Sequence, residues 1–438
     1  MALFCRYLVD HLIPMEPEGV VYSPGVVDVE NGKVVWAGRA QDAPPKKSAL
    51  TEKVDGVMLP GLVNIHCHTP MVLLRGAGED LRAPRGLLLV RGPRPARPPP
   101  DVVDRARRAG AGPRLEGGVT TSMEMYFLGE AVASGAEAAG LRCLVTAPLI
   151  EDALLTRYGS WQDQLDQMVA LGKQWQGNDL IQVGIGPHAV YSLSDECMRG
   201  VAQAARDHGM LVHIHVDEQE WEVGAVHRQT GGSALSYLEK IGVLDSPTVA
   251  AHSVWISPQD IDILARTGSA VAHCPCSNGK HASGIAPVQE MRAAGIPVGI
   301  ATDGPASHHR LDLFEEMRMA LRLARIRSQD AEALLVREAL AMVTREAADA
   351  IGRTDLGRIA PGNPADLIAV SIEAPSFQPV VPEEDDLIAR LVWSATREAV
   401  HSAWVGGRRM VSEGKVLTVD TEMVRREINR RAARIAVG

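Results

Sequence analysis

Eight short apolar runs, bounded by turn residues and mostly separated by helical stretches, constrain this chain more than any other feature. They lie at 62–66, 119–123, 142–147, 182–188, 211–215, 248–252, 270–274 and 298–303. Helical periodicity falls at 129–140, 161–176, 194–208, 233–241, 258–267 and 286–295, and again at 311–326 after the eighth run. Strands that alternate with helices predict parallel pairing, because a parallel neighbour needs a crossover connection. An open doubly wound sheet alternates in the same way, but eight units favour closure into a (β/α)8 TIM barrel. The side chains that act in such a barrel sit at the C-terminal ends of its strands.

The chain has 438 residues, more than the roughly 250 that a barrel needs. Residues 1–58 carry β-rich runs, Gly25-Val-Val-Asp-Val and Lys33-Val-Val-Trp-Ala, around Asn31-Gly32, a strong hairpin signal. The pattern returns in Ala365-Asp-Leu-Ile-Ala-Val, in 399–405 and in 408–411 after Gly406-Gly407. The expected organisation is a small β-sandwich-like domain built from both termini, 1–58 and 358–420, around a barrel at 59–357. A charged helix closes the chain at 421–438. One stretch fits nothing: 82–100 is rich in Pro and Arg, lacks acids and has no periodicity. It reads as a solvated, mobile loop on the catalytic side that leaves the site loosely covered, or as a stretch in a shifted reading frame.

Composition excludes several classes. A hydrophobic content of 46% and a charged content of 23% describe an ordinary globular chain with ample core. The net charge of −9 speaks against a broad basic surface for nucleic acid. No uncharged apolar run reaches the roughly 18 residues of a membrane span. The first residues lack the regions of a secretory signal. Six cysteines are too sparse for a disulfide scaffold and show no zinc-ribbon spacing. The expectation is a cytoplasmic protein with reduced thiols and neither a nucleic-acid nor a membrane partner.

The strand ends carry the chemistry. Reading them in order yields His66 and His68 on the first, His188 on the fourth, His215 on the fifth, His252 on the sixth and Asp303 on the eighth. His66 and His68 are two apart, so on a strand both face one way and two neutral imidazoles can share a divalent cation. The fifth strand, Leu-Val-His-Ile-His-Val-Asp-Glu, offers two histidines on one face. His215 lies nearer the C-terminal end and is assigned to the metal; Glu218, three residues on, is assigned to proton transfer. His213 is read as an inner-layer residue. Asp303 ends its strand as a ligand and an acceptor for a water proton, in preference to a helix cap. His252 is placed beside that water, in preference to the core.

These residues, with Leu59-Pro-Gly-Leu-Val-Asn-Ile-His-Cys-His-Thr-Pro-Met, Gly186-Pro-His188, Ser277-Asn278, Ser283-Gly-Ile-Ala-Pro-Val and Thr302-Asp303-Gly304, resemble the amidohydrolase superfamily. The resemblance runs over nearly the whole chain. It is closest to the one-metal branch of adenosine, methylthioadenosine and S-adenosylhomocysteine deaminases with their triazine-hydrolase relatives. It implies one zinc, or alternatively iron, on His66, His68, His215 and Asp303. It also implies catalytic roles for Glu218, His252 and Asp303, and substrate contacts from His188 and Glu218. Two-metal relatives carry a bridging lysine on the fourth strand, and this chain has none between Lys173 and Lys240. The implied reaction is hydrolytic deamination of an aminated heterocycle of adenine-nucleoside, purine or triazine type. Hydroxide generated on the metal attacks, and ammonia leaves. A homo-oligomer acting on a small molecule is implied with it. Relatives that accept a homocysteine tail use arginine near the third strand's end, where this chain has Ala147-Pro148. The alternatives are a triazine dechlorinase or N-dealkylase, a cyclic amidase, or a catalytically silent barrel that only binds.

Overall fold

The computed structural model describes residues 4–45, 50–76, 111–151, 158–379 and 384–436. The Pro/Arg-rich stretch 82–100 lies outside the described residues. Among the described residues eighteen strands follow in chain order: β1 Phe4–Leu12, β2 Gly25–Glu30, β3 Lys33–Arg39, β4 Leu50–Pro60, β5 Leu62–Cys67, β6 Val119–Glu124, β7 Arg142–Val145, β8 Pro148–Leu149 and β9 Ile181–Val183. Then come β10 Gly186–Pro187, β11 Val212–Val216, β12 Thr248–His252, β13 Ala270–His273, β14 Val298–Ile300, β15 Leu367–Val370, β16 Val400–Val405, β17 Arg408–Ser412 and β18 Lys415–Val416.

The barrel is assembled from two parallel four-stranded sheets, β5-β6-β7-β9 and β11-β12-β13-β14. Isolated parallel bridges close both seams, Ile185 with Val212 and Ala189 with His215 at one and Cys67 with Asp303 at the other. The second seam brings the first and last strand ends together. Helices fill the crossovers, and serine caps start several of them. Ser160, Ser194, Ser233 and Ser257 each accept a backbone N–H at a helix start, and Gly140, Gly209 and Gly268 end helices in the left-handed conformation.

Two expectations need refinement. The fourth run, expected as one strand over 182–188, breaks at Gly184 into β9 and β10. A Cβ on Gly184 would lie 2.6 Å from the Leu211 carbonyl oxygen, and one on Gly186 would lie 2.3 Å from that of Thr146. The chain therefore pinches against both neighbours, and β10 pairs with β8 instead. The eighth run, expected to reach 303, is a ladder only to Ile300; Asp303 leaves it in a left-handed turn with φ of 56°.

Both termini do meet in β structure, as a single eight-stranded sheet in the order β18-β17-β16-β15-β4-β1-β2-β3. Asn31 and Gly32, with φ of 52° and 80°, make the β2–β3 hairpin turn. The sheet curls over a core of its own that includes Tyr7, Val27, Met58 and Trp404. At its centre β4 runs through Gly61 directly into β5. A Cβ at Gly61 would sit 2.0 Å from the Thr120 hydroxyl, so only glycine lets the chain pass from sheet to barrel.

A buried ion pair fastens the two units beside that joint. Arg142, the first residue of β7, donates from Nε to Asp366 Oδ2 at 2.5 Å and from Nη2 to Oδ1 at 3.0 Å, both side chains being buried. Removing one member leaves an uncompensated buried charge. Arg142→Ala should therefore lower the unfolding free energy by about 3–5 kcal/mol in urea titrations of the metal-loaded protein. A loss within the range of an exposed pair, below about 1 kcal/mol, would show that the pair is not what fastens sheet to barrel.

Candidate active site

The apolar register of β5 leaves His66 fully buried and His68 just past the strand, where the chain turns into the Thr69–Leu74 helix. Thr69 donates from its backbone and its hydroxyl to the Glu124 carboxylate, itself paired with Arg114, which pins the chain immediately after His68. Three further strand ends turn inward through left-handed non-glycine residues: Asp217 after β11, His252 at the end of β12 and Asp303 after β14, with φ of 44°, 70° and 56°. Such conformations cost about 1–3 kcal/mol each and persist where the surrounding structure over-determines them. His252 and Asp303 thereby reach the point where the His66 ring stands.

At that point four ligating atoms converge. His68 Nε2 lies 3.2 Å from Asp303 Oδ1, His66 Nε2 lies 3.6 Å from the same oxygen, and His215 Nε2 lies 3.4 Å from His68 Nε2. The opposite ring atoms decide the tautomers. His68 Nδ1 lies 2.5 Å from the Met125 carbonyl oxygen and His215 Nδ1 lies 2.7 Å from that of His188. A carbonyl only accepts, so both rings carry a proton on Nδ1 and turn a bare Nε2 inward. His66 Nδ1 lies 2.8 Å from His213 Nε2, and His66 Nε2 has no hydrogen-bond partner among the described residues. Bare nitrogen lone pairs at such separations repel, and a divalent cation among them removes the repulsion. The donor set of three imidazoles and one carboxylate fits zinc or iron.

Electrostatics divide the three rings: burial works against a charge on His68, but the contact with Asp303 outweighs it and raises that ring above the ordinary range. Burial holds His66 down to about 4 and His215 well below the ordinary histidine range. Burial alone would push the Asp303 carboxyl up, but positive charge on the His66 and His68 rings outweighs it and holds the group well below the usual range, as a cation seated among bare nitrogens would. Ser277 Oγ donates to Asp303 Oδ2 at 2.6 Å and the Gly304 N–H to Oδ1 at 2.7 Å, which fixes the carboxylate plane.

All seven residues singled out from the sequence lie together. His252 Nε2 is 3.9 Å from Glu218 Oε2, and Asn278 Nδ2 is 3.1 Å from His252 Nδ1. The His188 ring stands 5.0 Å from the His215 ring and its Nδ1 lies 2.9 Å from the Ser192 hydroxyl. Glu218, His188 and His215 are partly exposed, and the other four are buried. His213, expected in an inner layer, is fully buried and reaches His66; that contact was not foreseen, although its place two residues before His215 was visible. Ser277 and Asn278 carried no assigned role. Glu222 was overlooked: it stands one helical turn past Glu218 and accepts the Glu218 backbone N–H at 3.0 Å.

A closed barrel with three imidazoles and a carboxylate gathered at its strand ends defines a metal-dependent hydrolase. The profile of the amidohydrolase family matches residues 57–410, and the chain belongs to this family. It is 33% identical to a 5-methylthioadenosine/S-adenosylhomocysteine deaminase of Pelotomaculum thermopropionicum over 97% of each chain. It is 34% identical to a 5'-deoxyadenosine deaminase of Methanosarcina mazei over 96% of each. Among solved structures, an adenosine deaminase of Xanthomonas campestris with bound zinc superposes with a TM-score of 0.92 at 30% identity, covering 99% of both chains. An Arthrobacter aurescens triazine hydrolase superposes at 0.89 with 23% identity, covering 98% of this chain and 99% of the other, a likeness of fold. No helix among the described residues is long and apolar enough to cross a membrane.

The rim acids have a pH signature. Burial, reinforced by the charge of Glu218, pushes the Glu222 carboxyl up to about 9 from its ordinary 4.5. A carboxyl raised on folding stabilises the protein fully below its unfolded pKa, and that contribution is lost as pH rises through the folded value. Glu222→Gln keeps an oxygen for the Glu218 N–H and removes the ionisation. Urea midpoints should fall for the wild type between about pH 6 and pH 9 and fall less for Glu222→Gln. Parallel losses in the two proteins would assign the pH dependence elsewhere.

Proposed function

We propose that this chain is a hydrolytic deaminase that releases ammonia from the aminated ring of a small adenosine-type nucleoside. Its metal is one zinc held by His66, His68, His215 and Asp303. The observation that carries the reading is the gathering of His66 and His68 Nε2 at Asp303 with His215 Nε2 3.4 Å from that of His68, and a separate acid, Glu218, 3.9 Å from His252. The relatives at 30% identity or more are named as deaminases of adenosine compounds, which favours this substrate class over triazines. When bound, a divalent zinc lowers the pKa of a water to about 7 and polarises the carbon under attack.

The chain's own groups do the rest. Asp303, held ionised and pointed by Ser277 and Gly304, takes up the proton the water loses, with His252 orienting that water. Glu218, from the opposite rim, protonates the ring nitrogen next to the amine-bearing carbon, so that negative charge does not build up on the ring. Water's oxygen forms a bond to the carbon, the bond to the amino nitrogen breaks, and ammonia leaves with the proton passed on by Asp303. The proton remaining on the added oxygen returns to Glu218 as the carbonyl forms, which resets the acid. His188 stands beside His215 in position to contact the ring. The six cysteines are free thiols, five of them buried, which supports a reducing cytoplasm as the working compartment.

The test is ammonia release from adenosine, 5'-deoxyadenosine, methylthioadenosine and aminated triazines by metal-replete protein. Release from at least one adenosine compound is expected; chloride release from a chlorotriazine without ammonia from any nucleoside would overturn the reading. Elemental analysis of protein purified without chelator should find close to one equivalent of metal per chain. Glu218→Gln should lower kcat by roughly 10²–10⁴ with that equivalent retained, whereas Asp303→Asn should lose metal and turnover together. Loss of metal from Glu218→Gln would make Glu218 a ligand instead.

A further inference from the structure

We propose that Thr146 and His213 form a relay that holds His66 in the one tautomer able to ligate a metal, which makes both of them positioning residues of the site. The inference rests on the ligand set proposed above. His68 and His215 each set their tautomer directly against a backbone carbonyl. His66 lies deeper and meets His213 Nε2 at 2.8 Å instead. An imidazole nitrogen can donate or accept, so this contact alone leaves the His66 proton unassigned.

The assignment comes from further along the chain of contacts. His213 Nδ1 lies 2.8 Å from Thr146 Oγ1, and Thr146 Oγ1 donates to the Glu124 carbonyl oxygen at 3.2 Å. A hydroxyl has one hydrogen, and a ligating His66 requires it on the Glu124 carbonyl oxygen, the longer of its two contacts, which also accepts the Thr146 N–H. The oxygen therefore faces His213 with a lone pair, and His213 must carry its proton on Nδ1. His213 Nε2 is then bare and accepts from His66 Nδ1–H, which leaves His66 Nε2 bare toward Asp303 and His68. All three side chains are buried, so no solvent proton substitutes for a missing partner.

The opposite arrangement is the one the site must avoid. If the Thr146 hydroxyl turned to His213 Nδ1, the proton of each ring would move to Nε2. His66 Nε2–H would then point at Asp303 Oδ1 from 3.6 Å, beyond hydrogen-bond reach, and occupy the position a metal needs. The relay thus selects between a ring that ligates and a ring that is blocked. It supplies a reason for the histidine two residues before His215 and for a hydroxyl where β7 ends.

The experiment is a competition titration of zinc against a chromophoric chelator, on wild type, Thr146→Val, Thr146→Ser, His213→Leu and His213→Gln. Melting temperatures of the metal-free forms are recorded alongside. Thr146→Val and His213→Leu should weaken zinc binding by about 10- to 100-fold, the usual effect of losing a group that orients a ligand. Thr146→Ser restores the hydroxyl and His213→Gln restores an acceptor for His66 Nδ1, so each should recover most of the loss. Recovery of affinity that does not track the metal-free melting temperature separates positioning from packing. Unchanged affinity in Thr146→Val and His213→Leu, or equal loss in Thr146→Ser and Thr146→Val, overturns the relay. A wild type that takes up no zinc overturns the ligand set, and the relay with it.

Discussion

Three bare imidazole nitrogens and one carboxylate share a water-poor space at the strand ends, and the rest of the structure is arranged so that they can. Each nitrogen is bare because its ring partner atom is committed elsewhere: to Met125, to His188, or through His213 to Thr146 and Glu124. Without a cation the arrangement is unfavourable, since the lone pairs repel and desolvation discourages protonation of His66 and His215. Asp303 alone offsets part of that cost. The proposed ligand set is thus preorganised for a divalent ion, and on that proposal metal binding and folding are coupled.

Holding that geometry falls to the barrel closure. The Cys67–Asp303 bridge joins the first and last strand ends, and the Ile185–Val212 bridge joins the two four-stranded sheets. Left-handed turns at His252 and Asp303 accompany their approach to the His66 ring. The terminal sheet contributes at a distance: β4 enters β5 through Gly61, and Arg142–Asp366 clamps the joint. The proposed acid–base roles then divide by environment. Asp303 is enclosed and held ionised, while Glu218 remains at the rim with the neutral carboxyl of Glu222 beneath its backbone. Groups of one chemical type are in this way set to opposite tasks.

Much of this was legible in the chain, for local reasons. Strand periodicity put His66 and His68 on one face, and eight apolar runs located every other strand end that bears a site residue. What was not legible depends on contacts between elements far apart in sequence. The break at Gly184 reflects carbonyls of Leu211 and Thr146 pressing on it, which no local pattern encodes. The two termini read as a sandwich because alternation does not tell one curled sheet from two packed ones. His213 looked like core because its role lies in a bond to a residue 147 positions away. Glu222, at helical spacing from Glu218, was the one site residue a local rule could have found.

The central claim is a single cation held by three imidazole nitrogens and a carboxylate. X-ray absorption at the metal edge of the zinc-loaded protein tests it most directly. The account predicts a first shell of nitrogen and oxygen only, at about 2.0–2.2 Å, with imidazole outer-shell scattering from three rings. Scattering from sulfur at about 2.3 Å, or a metal–metal vector at about 3.5–4 Å, would contradict it.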